Sequence, residues 1–371
     1  MRFRSLISLP LVLLAACGST STTGGSPSGS ASPSASSPPA VPAVAVVEWD
    51  QDSTGYTLRL VSYDARVLAT AHAVWPNTAK CGPVEAGIIT PPPVSTTNTR
   101  AYFLDSGGIK WLQEDGKTGV AFAGVQSKPN TAYAFSVAPD DSQFALNTID
   151  YSSSPLSQHL TVTAVGASTL GPQIFSARAP SGSPSAAVWP VGWHAGNIVL
   201  GYHPGTCTQG GGPGLADATS YHVVSATSAA RTATIGRDSG SSCGLLGLPS
   251  RAGVPCGTYD ANKTQVLGWT GAAGATFAAG LEPGGLAPSG TTYAGADTTN
   301  TTSETIIKVI TVGGSTFTVP GTLLSVMWID DGHLFVGAQT GTSQVYSTGT
   351  QKASPVSAAG QPLDRIPASL D

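Results

Sequence analysis

Charged residues are scarce in this chain of 371 residues: they make up 10% of the sequence, and the formal net charge is −4. No run of lysine and arginine occurs, which argues against the basic face that a nucleic-acid-binding protein normally presents. Long charged helix formers are also scarce, and this argues against a helical bundle. The sequence instead has 45 glycines and 28 prolines among small and β-branched residues. This composition predicts an all-β protein of short strands and tight turns.

Beyond the apolar run near the N-terminus, no stretch of the sequence is long and apolar enough to cross a bilayer. The first apolar run is short, follows Arg2 and Arg4, and ends in Leu14-Ala15-Ala16-Cys17. A basic start, a short apolar core and small residues before a break point are typical of a secretory signal. The ending resembles the lipobox of bacterial lipoproteins. That resemblance implies cleavage after residues 1–16 and acylation of Cys17. We therefore expect a lipid-anchored protein on the outward-facing, extracytoplasmic side of a cell membrane.

Residues 17–40 are rich in serine, glycine and proline and show no apolar periodicity. Such a segment cannot bury enough apolar surface to fold, so we interpret it as a disordered linker. A flexible chain of this length has an r.m.s. reach of roughly 25 Å. The linker would therefore hold the following domain just clear of the lipid headgroups.

From residue 41 onward, short apolar runs alternate with small polar turns. The clearest units are 135–146, 285–295 and 325–336. Asp, Ser and Gly at their centres are the residues that hairpin turns require. Turns of this kind fall near residues 98, 141, 196, 253, 290 and 332. These intervals of about 37 to 57 residues match propeller blades of roughly 40–50 residues with loop insertions.

Each unit carries two further apolar runs, so the repeat has the four strands of a propeller blade. We predict seven four-stranded blades in residues 41–371. The first blade, around 44–75, shows three runs, and the segment 361–370 could supply its fourth strand and close the ring. Six blades, eight blades and two β-sandwich domains remain alternatives.

The turn sequences Ala138-Pro139-Asp140-Asp141 and Ala287-Pro288-Ser289-Gly290 resemble the "SPDG" turn of WD40-like propellers of the TolB kind. The resemblance implies a propeller over residues 41–371. It implies nothing specific about function, because the motif is short. No repeat unit ends in the Trp-Asp pair of true WD40 blades.

Four cysteines remain after Cys17, and an even number in an exported chain favours two disulfides. The candidates are Cys81, Cys207, Cys243 and Cys256. Three pairings are possible. We favour Cys207–Cys243 because both lie in Gly/Ser-rich segments flanking one blade, with buried free thiols as the alternative. No Cys-x-x-Cys occurs and no histidine stands at ligand spacing, so we expect no metal and no cofactor.

No catalytic motif stands out. A Gly-x-Ser-x-Gly match at 240–244 lacks the strand before it and the helix after it that a nucleophile elbow needs, so we interpret it as a chance match. Asp140-Asp141 and Asp330-Asp331 lie at hairpin centres and are interpreted as turn formers. His194 and His203 flank one strand, and two histidines alone make a poor metal site.

Tryptophans supply the remaining candidates. Trp193 and Trp328 occupy matching positions just before their turns, which predicts packing between blades. Trp75 and Trp189 lie beside proline in connections. We expect these two to be exposed and propose them as ligand-binding residues.

The sequence leaves three functions open. One is a non-catalytic binding or scaffold propeller for a protein, a peptide or an envelope component such as a glycan. The alternative is an exported enzyme with its site at the channel mouth, and a structural lipoprotein without a specific ligand is a third option. A cluster of His, Asp, Glu or Arg at the mouth would favour the enzyme, and an apolar or aromatic patch would favour binding. We expect a monomer whose membrane contact is its N-terminal lipid.

Overall fold

Strands and turns alternate through the described part of the chain. The computed structural model describes residues 40–371 except 51–53, 79–85, 89–90, 153–156, 179–185, 206, 210–217, 238–242, 259–262, 279–280, 298–306, 320–324 and 339–341. The strands β1 to β31, in chain order, are Ala43–Trp49, Gly55–Ser62, Val67–Val74, Ala86–Ile88, Val94–Thr96, Ala101–Asp105, Gly108–Leu112, Thr118–Phe122, Thr131–Val137, Gln143–Asp150, Ser157–Ala164, Gln173–Arg178, Ala187–His194, Asn197–His203, Cys207–Gln209, Ser220–Ser225, Arg231–Gly236, Gly244–Leu245, Gly247–Leu248, Val254–Thr258, Lys263–Leu267, Ala273–Phe277, Leu281–Leu286, Thr292–Asp297, Ile307–Thr311, Thr316–Val319, Ser325–Trp328, His333–Gly337, Ser343–Ser347, Lys352–Val356 and Gln361–Ile366.

These strands form seven blades, as the sequence predicts. Blade 1 has the order β3-β2-β1-β31, blade 2 β5-β6-β7-β8, blade 3 β9-β10-β11-β12 and blade 4 β13-β14-β16-β17. Blade 5 is β18-β20-β21-β22, blade 6 is β23-β24-β25-β26 with β19 added beside β23, and blade 7 is β27-β28-β29-β30. A separate two-stranded ribbon joins β4 and β15. The all-β, seven-bladed propeller is confirmed, and the alternatives of six blades, eight blades and two sandwiches are wrong.

The two ends of the propeller sequence meet in blade 1. Strand β31 pairs antiparallel with β1, from Ala43 opposite Ile366 to Val47 opposite Gln361. It lies beside β27 and β5, the inner strands of the neighbouring blades. The predicted closure by the C-terminal strand is therefore confirmed. It also explains why seven blades show six turn motifs: the inner strand of blade 1 comes from the other end of the chain.

The turns between first and second strands share one geometry in blades 3 and 6. Asp141 N donates to Ala138 O at 3.0 Å, and Gly290 N donates to Ala287 O at 2.9 Å. Asp141 and Gly290 both have positive φ, 61° and 73°. Glycine adopts this region freely and Asp tolerates it, so the two residues can occupy the same turn position.

Apolar clusters fill every interface between neighbouring blades. Strand β1 shows how the sequence builds them: Val44 and Val46 pack against blade 7, whereas Ala45 and Val47 pack against blade 2. Because successive side chains of a strand point to opposite faces, each apolar strand contributes to two interfaces. The interface between blades 7 and 1 is filled in the same way as the others, which makes the ring continuous.

Two tryptophans also join neighbouring inner strands by hydrogen bonds. Trp193 Nε1 of blade 4 donates to Ser136 O of blade 3 at 3.2 Å. Trp328 Nε1 of blade 7 donates to Gly285 O of blade 6 at 3.0 Å. Both side chains are almost completely buried. The prediction that their matching positions serve packing between blades is confirmed.

Internal contacts group Pro39–Asp371 into one unit. The predicted signal peptide, most of the predicted linker and Cys17 lie outside the described residues. In the part of the chain that is described, no helix is long and apolar enough to cross a membrane.

Candidate functional site in the propeller channel

The inner strands surround a cavity in the propeller channel. It contains about 830 Å³ of space not filled by protein atoms, part of it open to solvent. Its walls come from blades 1, 2, 3, 4, 6 and 7 and from β19, through residues that include Leu363, Val94, Phe135, Trp189, Leu286, Trp328 and Leu248. Small-molecule sites have mainly apolar linings with a few polar groups. The lining of this cavity has that character.

Trp189 forms the wall contributed by blade 4. It stands opposite Gly201 in the β13–β14 pairing, and a Cβ at position 201 would lie 2.6 Å from the indole ring. The missing side chain at Gly201 therefore makes room for the indole. Trp189 packs against Ala134 and Ala187 and is 2% exposed.

Asp364 is one of two charged residues among the described residues of the lining. Its Oδ2 accepts a hydrogen bond from Thr96 N of blade 2 at 2.7 Å, and its Oδ1 accepts one from Arg365 N at 2.9 Å. Burial raises the pKa of this carboxyl group, and the hydrogen bonds from Thr96 and Arg365 oppose the rise. Because its oxygens bind main-chain donors of blades 1 and 2, Asp364 serves to join these two blades.

Arg365 is the second charged residue. It is 5% exposed, and its Nη2 donates to Ser369 O at 3.1 Å. Burial lowers the pKa of the guanidinium to about 10, and the negative charge of Asp364 opposes this change. The group therefore keeps its positive charge at neutral pH although it is removed from water.

The C-terminal tail, Pro367–Asp371, borders the cavity at the face that carries the turns. Ala368 N donates to Asn98 Oδ1 of blade 2 at 3.3 Å, Ser369 lines the cavity, and His194 Nδ1 of blade 4 donates to Leu370 O at 2.8 Å. The tail thus runs from blade 1 past blade 2 to blade 4. Its terminal contacts fix one end of the channel.

The Leu370 side chain inserts between blades 4 and 5. It is 2% exposed and packs in a cluster with Val199, Tyr221, Ile235, Val254 and Trp269. A Cβ at Gly192 would lie 2.7 Å from Leu370 Cδ1. The absence of a side chain at Gly192 therefore makes room for this leucine.

The connection between blades 1 and 2 runs along the opposite face. Asn77 Nδ2 donates to Tyr133 O at 3.1 Å and Asn77 Oδ1 accepts from Tyr133 N at 2.7 Å, near the start of the inner strand of blade 3. The next described part of this connection, β4, pairs with β15, which follows β14 of blade 4. This connection therefore reaches blades 3 and 4 at the face opposite the tail.

The two tryptophans predicted to bind ligand are not brought together. Trp189 lies in the cavity wall, and its expected exposure is wrong because β13 carries it into the channel lining. Trp75 is half-buried and meets Trp49 and Tyr56 in edge contacts at centroid distances of 5.3 and 6.2 Å. It contributes to the interfaces of blades 1 and 2. Ligand binding by either residue stays a prediction.

The favoured disulfide pairing is wrong. Cys243 is bonded to Cys256, with their Cα atoms 5.2 Å apart. The reason is topological: Cys243 directly precedes β18, and β18 pairs with β20, which contains Cys256. Cys207 instead starts β15, whose partner is β4. Cys81 lies outside the described residues.

The other candidate side chains have structural partners. Asp141 accepts hydrogen bonds from Tyr102 and Thr99 of blade 2 at 2.8 and 2.6 Å. Asp330 accepts from His333 Nδ1 at 2.9 Å. These contacts agree with the interpretation of the paired aspartates as turn formers. Among the described residues, no group of three or more His, Cys, Asp or Glu is placed to hold a metal ion.

Sequence reasoning missed the residues that define the site most closely, namely Asp364, Arg365 and the tail. One signal was available: an acid and a base stand side by side in the otherwise apolar closing segment Gln361–Ile366. Charged residues are rarely fully buried without a partner. A predicted inner strand carrying two of them therefore marks a polar contact inside the ring.

Comparison with known proteins gives a remote structural similarity. No protein-family model matches the chain, and no curated protein matches it. The crystal structure of the WD40 beta propeller domain of Doa1 aligns with 73% of this chain and 84% of that chain, at 9% sequence identity and a TM-score of 0.42. The propeller assignment for this chain follows from its own strand pairing.

Proposed function

We propose that the chain is an outward-facing, lipid-anchored, non-catalytic binding protein that holds an apolar ligand in its propeller channel. The observation that carries the proposal is a channel cavity with a mainly apolar lining, bordered at one face by the protein's own tail. The lipobox-like ending at Cys17 supports the anchored location, because its resemblance implies acylation and export. A ligand that is an envelope component would be within reach of such a protein.

The alternative of an exported enzyme is not favoured by the described lining. Asp364 is held by two main-chain donors, whereas a general acid or base must exchange a proton with the substrate. Arg365 is bonded to the tail. Asp364 is therefore engaged in main-chain contacts, and Arg365, whose pKa is about 10, keeps its proton at neutral pH, so neither group is placed as a general acid or base.

Titration with decanol, an uncharged apolar probe, tests the binding proposal. Because Trp189 and Trp328 line the cavity, we expect a saturable change in intrinsic fluorescence. The variant Ala218→Phe places a ring in the lining and should abolish that change. Its matched control is Ala123→Phe, at an exposed position outside the lining, and it should bind as the wild type does. Equal binding by both variants, or no binding by the wild type, would contradict an apolar site in the channel.

Cell fractionation tests the location. Cells producing the full chain are labelled with an alkyne-bearing fatty acid, and the membrane and soluble fractions are compared with those from cells producing Cys17→Ala. We expect label and membrane association in the wild type and loss of both in the variant. Unlabelled wild-type protein in the soluble fraction would contradict the lipid anchor while leaving the binding proposal intact.

A further inference from the structure

The charge of Arg365 is compensated only in part. Within the described part of the chain, its side chain makes one hydrogen bond, from Nη2 to Ser369 O, and no described carboxylate forms an ion pair with it. The charges of Asp364, Asp331 and Asp330 favour the charged guanidinium without a direct ion pair, and the charge of Arg251 opposes it. Asp364, the nearest acid in sequence, directs its oxygens to Thr96 N and Arg365 N. The guanidinium has five N–H donors, so it retains capacity to bind another acceptor.

Burial of such a group is costly. Removing a charged side chain from water is unfavourable unless hydrogen bonds and an opposite charge replace the lost hydration. Arg365 is 5% exposed and borders a cavity whose other described lining is mainly apolar. The lowered pKa of the guanidinium has the same cause, desolvation by burial. An anion in the cavity would supply the missing compensation.

We propose that the cavity binds an amphiphile with an apolar body and a single carboxylate, and that Arg365 binds the carboxylate. This inference rests on the proposed function and names the ligand class of the same site. Planar guanidinium and carboxylate groups match in a bidentate, charge-assisted contact. A monoanion fits better than a phosphate dianion, because the lining offers one arginine and also contains Asp364. The apolar body would contact Trp189, Phe135 and Leu286.

Three probes of one chain length test the assignment at pH 7: decanoate, decanol and decylamine, each followed by intrinsic tryptophan fluorescence. In the wild type we expect decanoate to bind at least about tenfold more tightly than decanol, which corresponds to about 1.4 kcal/mol, and decylamine to bind most weakly. Equal binding of decanoate and decanol would overturn the carboxylate assignment and leave the proposed function standing. Failure of all three probes would overturn both.

Two variants assign the preference to Arg365. Arg365→Gln removes the charge and should bring decanoate and decanol to equal affinity within this variant. Arg365→Lys keeps the charge without the planar fork, so a reduced preference for decanoate should remain. Decanol binding shows in each variant that the cavity has formed. If Arg365→Gln does not fold, Arg365→Lys carries the test. An undiminished preference in either folded variant would overturn the role of Arg365.

Discussion

Substitution of Leu370 by alanine tests whether the C-terminal tail is an integral part of the ring. Leu370 is 2% exposed and lies between blades 4 and 5. Truncating a buried leucine to alanine costs about 2–5 kcal/mol, and the cost is smaller where the surroundings can relax. Allowing for partial relaxation around the site, we expect Leu370→Ala to lower the free energy of unfolding by about 2–3 kcal/mol.

The assay is urea unfolding followed by tryptophan fluorescence, which reports on Trp269 in the same cluster. With a denaturant dependence of about 3 kcal/mol per molar urea, the expected loss shifts the midpoint down by about 0.7–1 M. The neighbouring substitution Asp371→Ala is the matched control. Asp371 is exposed, and surface substitutions usually change stability by less than about 0.5 kcal/mol.

Two results would refute the reasoning. If Leu370→Ala and Asp371→Ala have the same midpoint as the wild type, the tail does not contribute its apolar contact to the folded ring. If both lower the midpoint equally, the effect belongs to the chain end as a whole and not to the buried side chain. Wild-type stability with Asp371→Ala and a loss with Leu370→Ala is the outcome that the packing of Leu370 requires.

Three further predictions follow from contacts between blades and can be measured by the same urea titration. Trp328→Phe removes the donor to Gly285 O and should lower the free energy of unfolding by about 1–3 kcal/mol. The control Trp111→Phe, at a half-buried position in the third strand of blade 2, should lower it less. Equal losses in the two variants would show that the hydrogen bond to Gly285 does not contribute to stability. Asp141→Ala and Asp141→Gly both remove the acceptor for Tyr102 and Thr99, but only the first places a Cβ at a φ of 61°. The alanine variant should therefore be less stable than the glycine variant by about 1 kcal/mol. Identical stabilities would show that the positive φ does not affect stability at this position. Because burial raises the pKa of Asp364 above 3.8, the folded state holds this proton more tightly than the unfolded state. Wild-type stability relative to Asp364→Asn should therefore fall as pH rises from 3.8 through the raised pKa; a difference that is constant with pH would contradict the shift.

Local sequence determined the blades of this protein. A turn is specified by a few consecutive residues, such as Asp141 or Gly290 at a positive φ, and the strands on either side pair with each other because the turn brings them together. Alternation within each strand then supplies apolar side chains to both neighbouring interfaces. For this reason the turn spacing, the number of blades, the closing segment and the packing of Trp193 and Trp328 could all be predicted.

The site depended on contacts that no local pattern encodes. Thr96 and Asp364 are 268 positions apart, and Leu370 lies 176 positions from His194, which donates to its carbonyl. The disulfide was predicted wrongly for a related reason: the neighbour of Cys243 is set by the pairing of β18 with β20. Turn chemistry does not specify that pairing.

The sequence by itself therefore determined an all-β chain of repeated four-stranded units with a closing strand, because hairpins form from neighbouring residues. The tertiary structure alone decided that Trp189 lines a cavity, that the tail borders it, and that Arg365 lies buried beside it. Closing the ring places residues from distant parts of the chain around one channel. The chemistry inside that channel is consequently a property of the assembled ring.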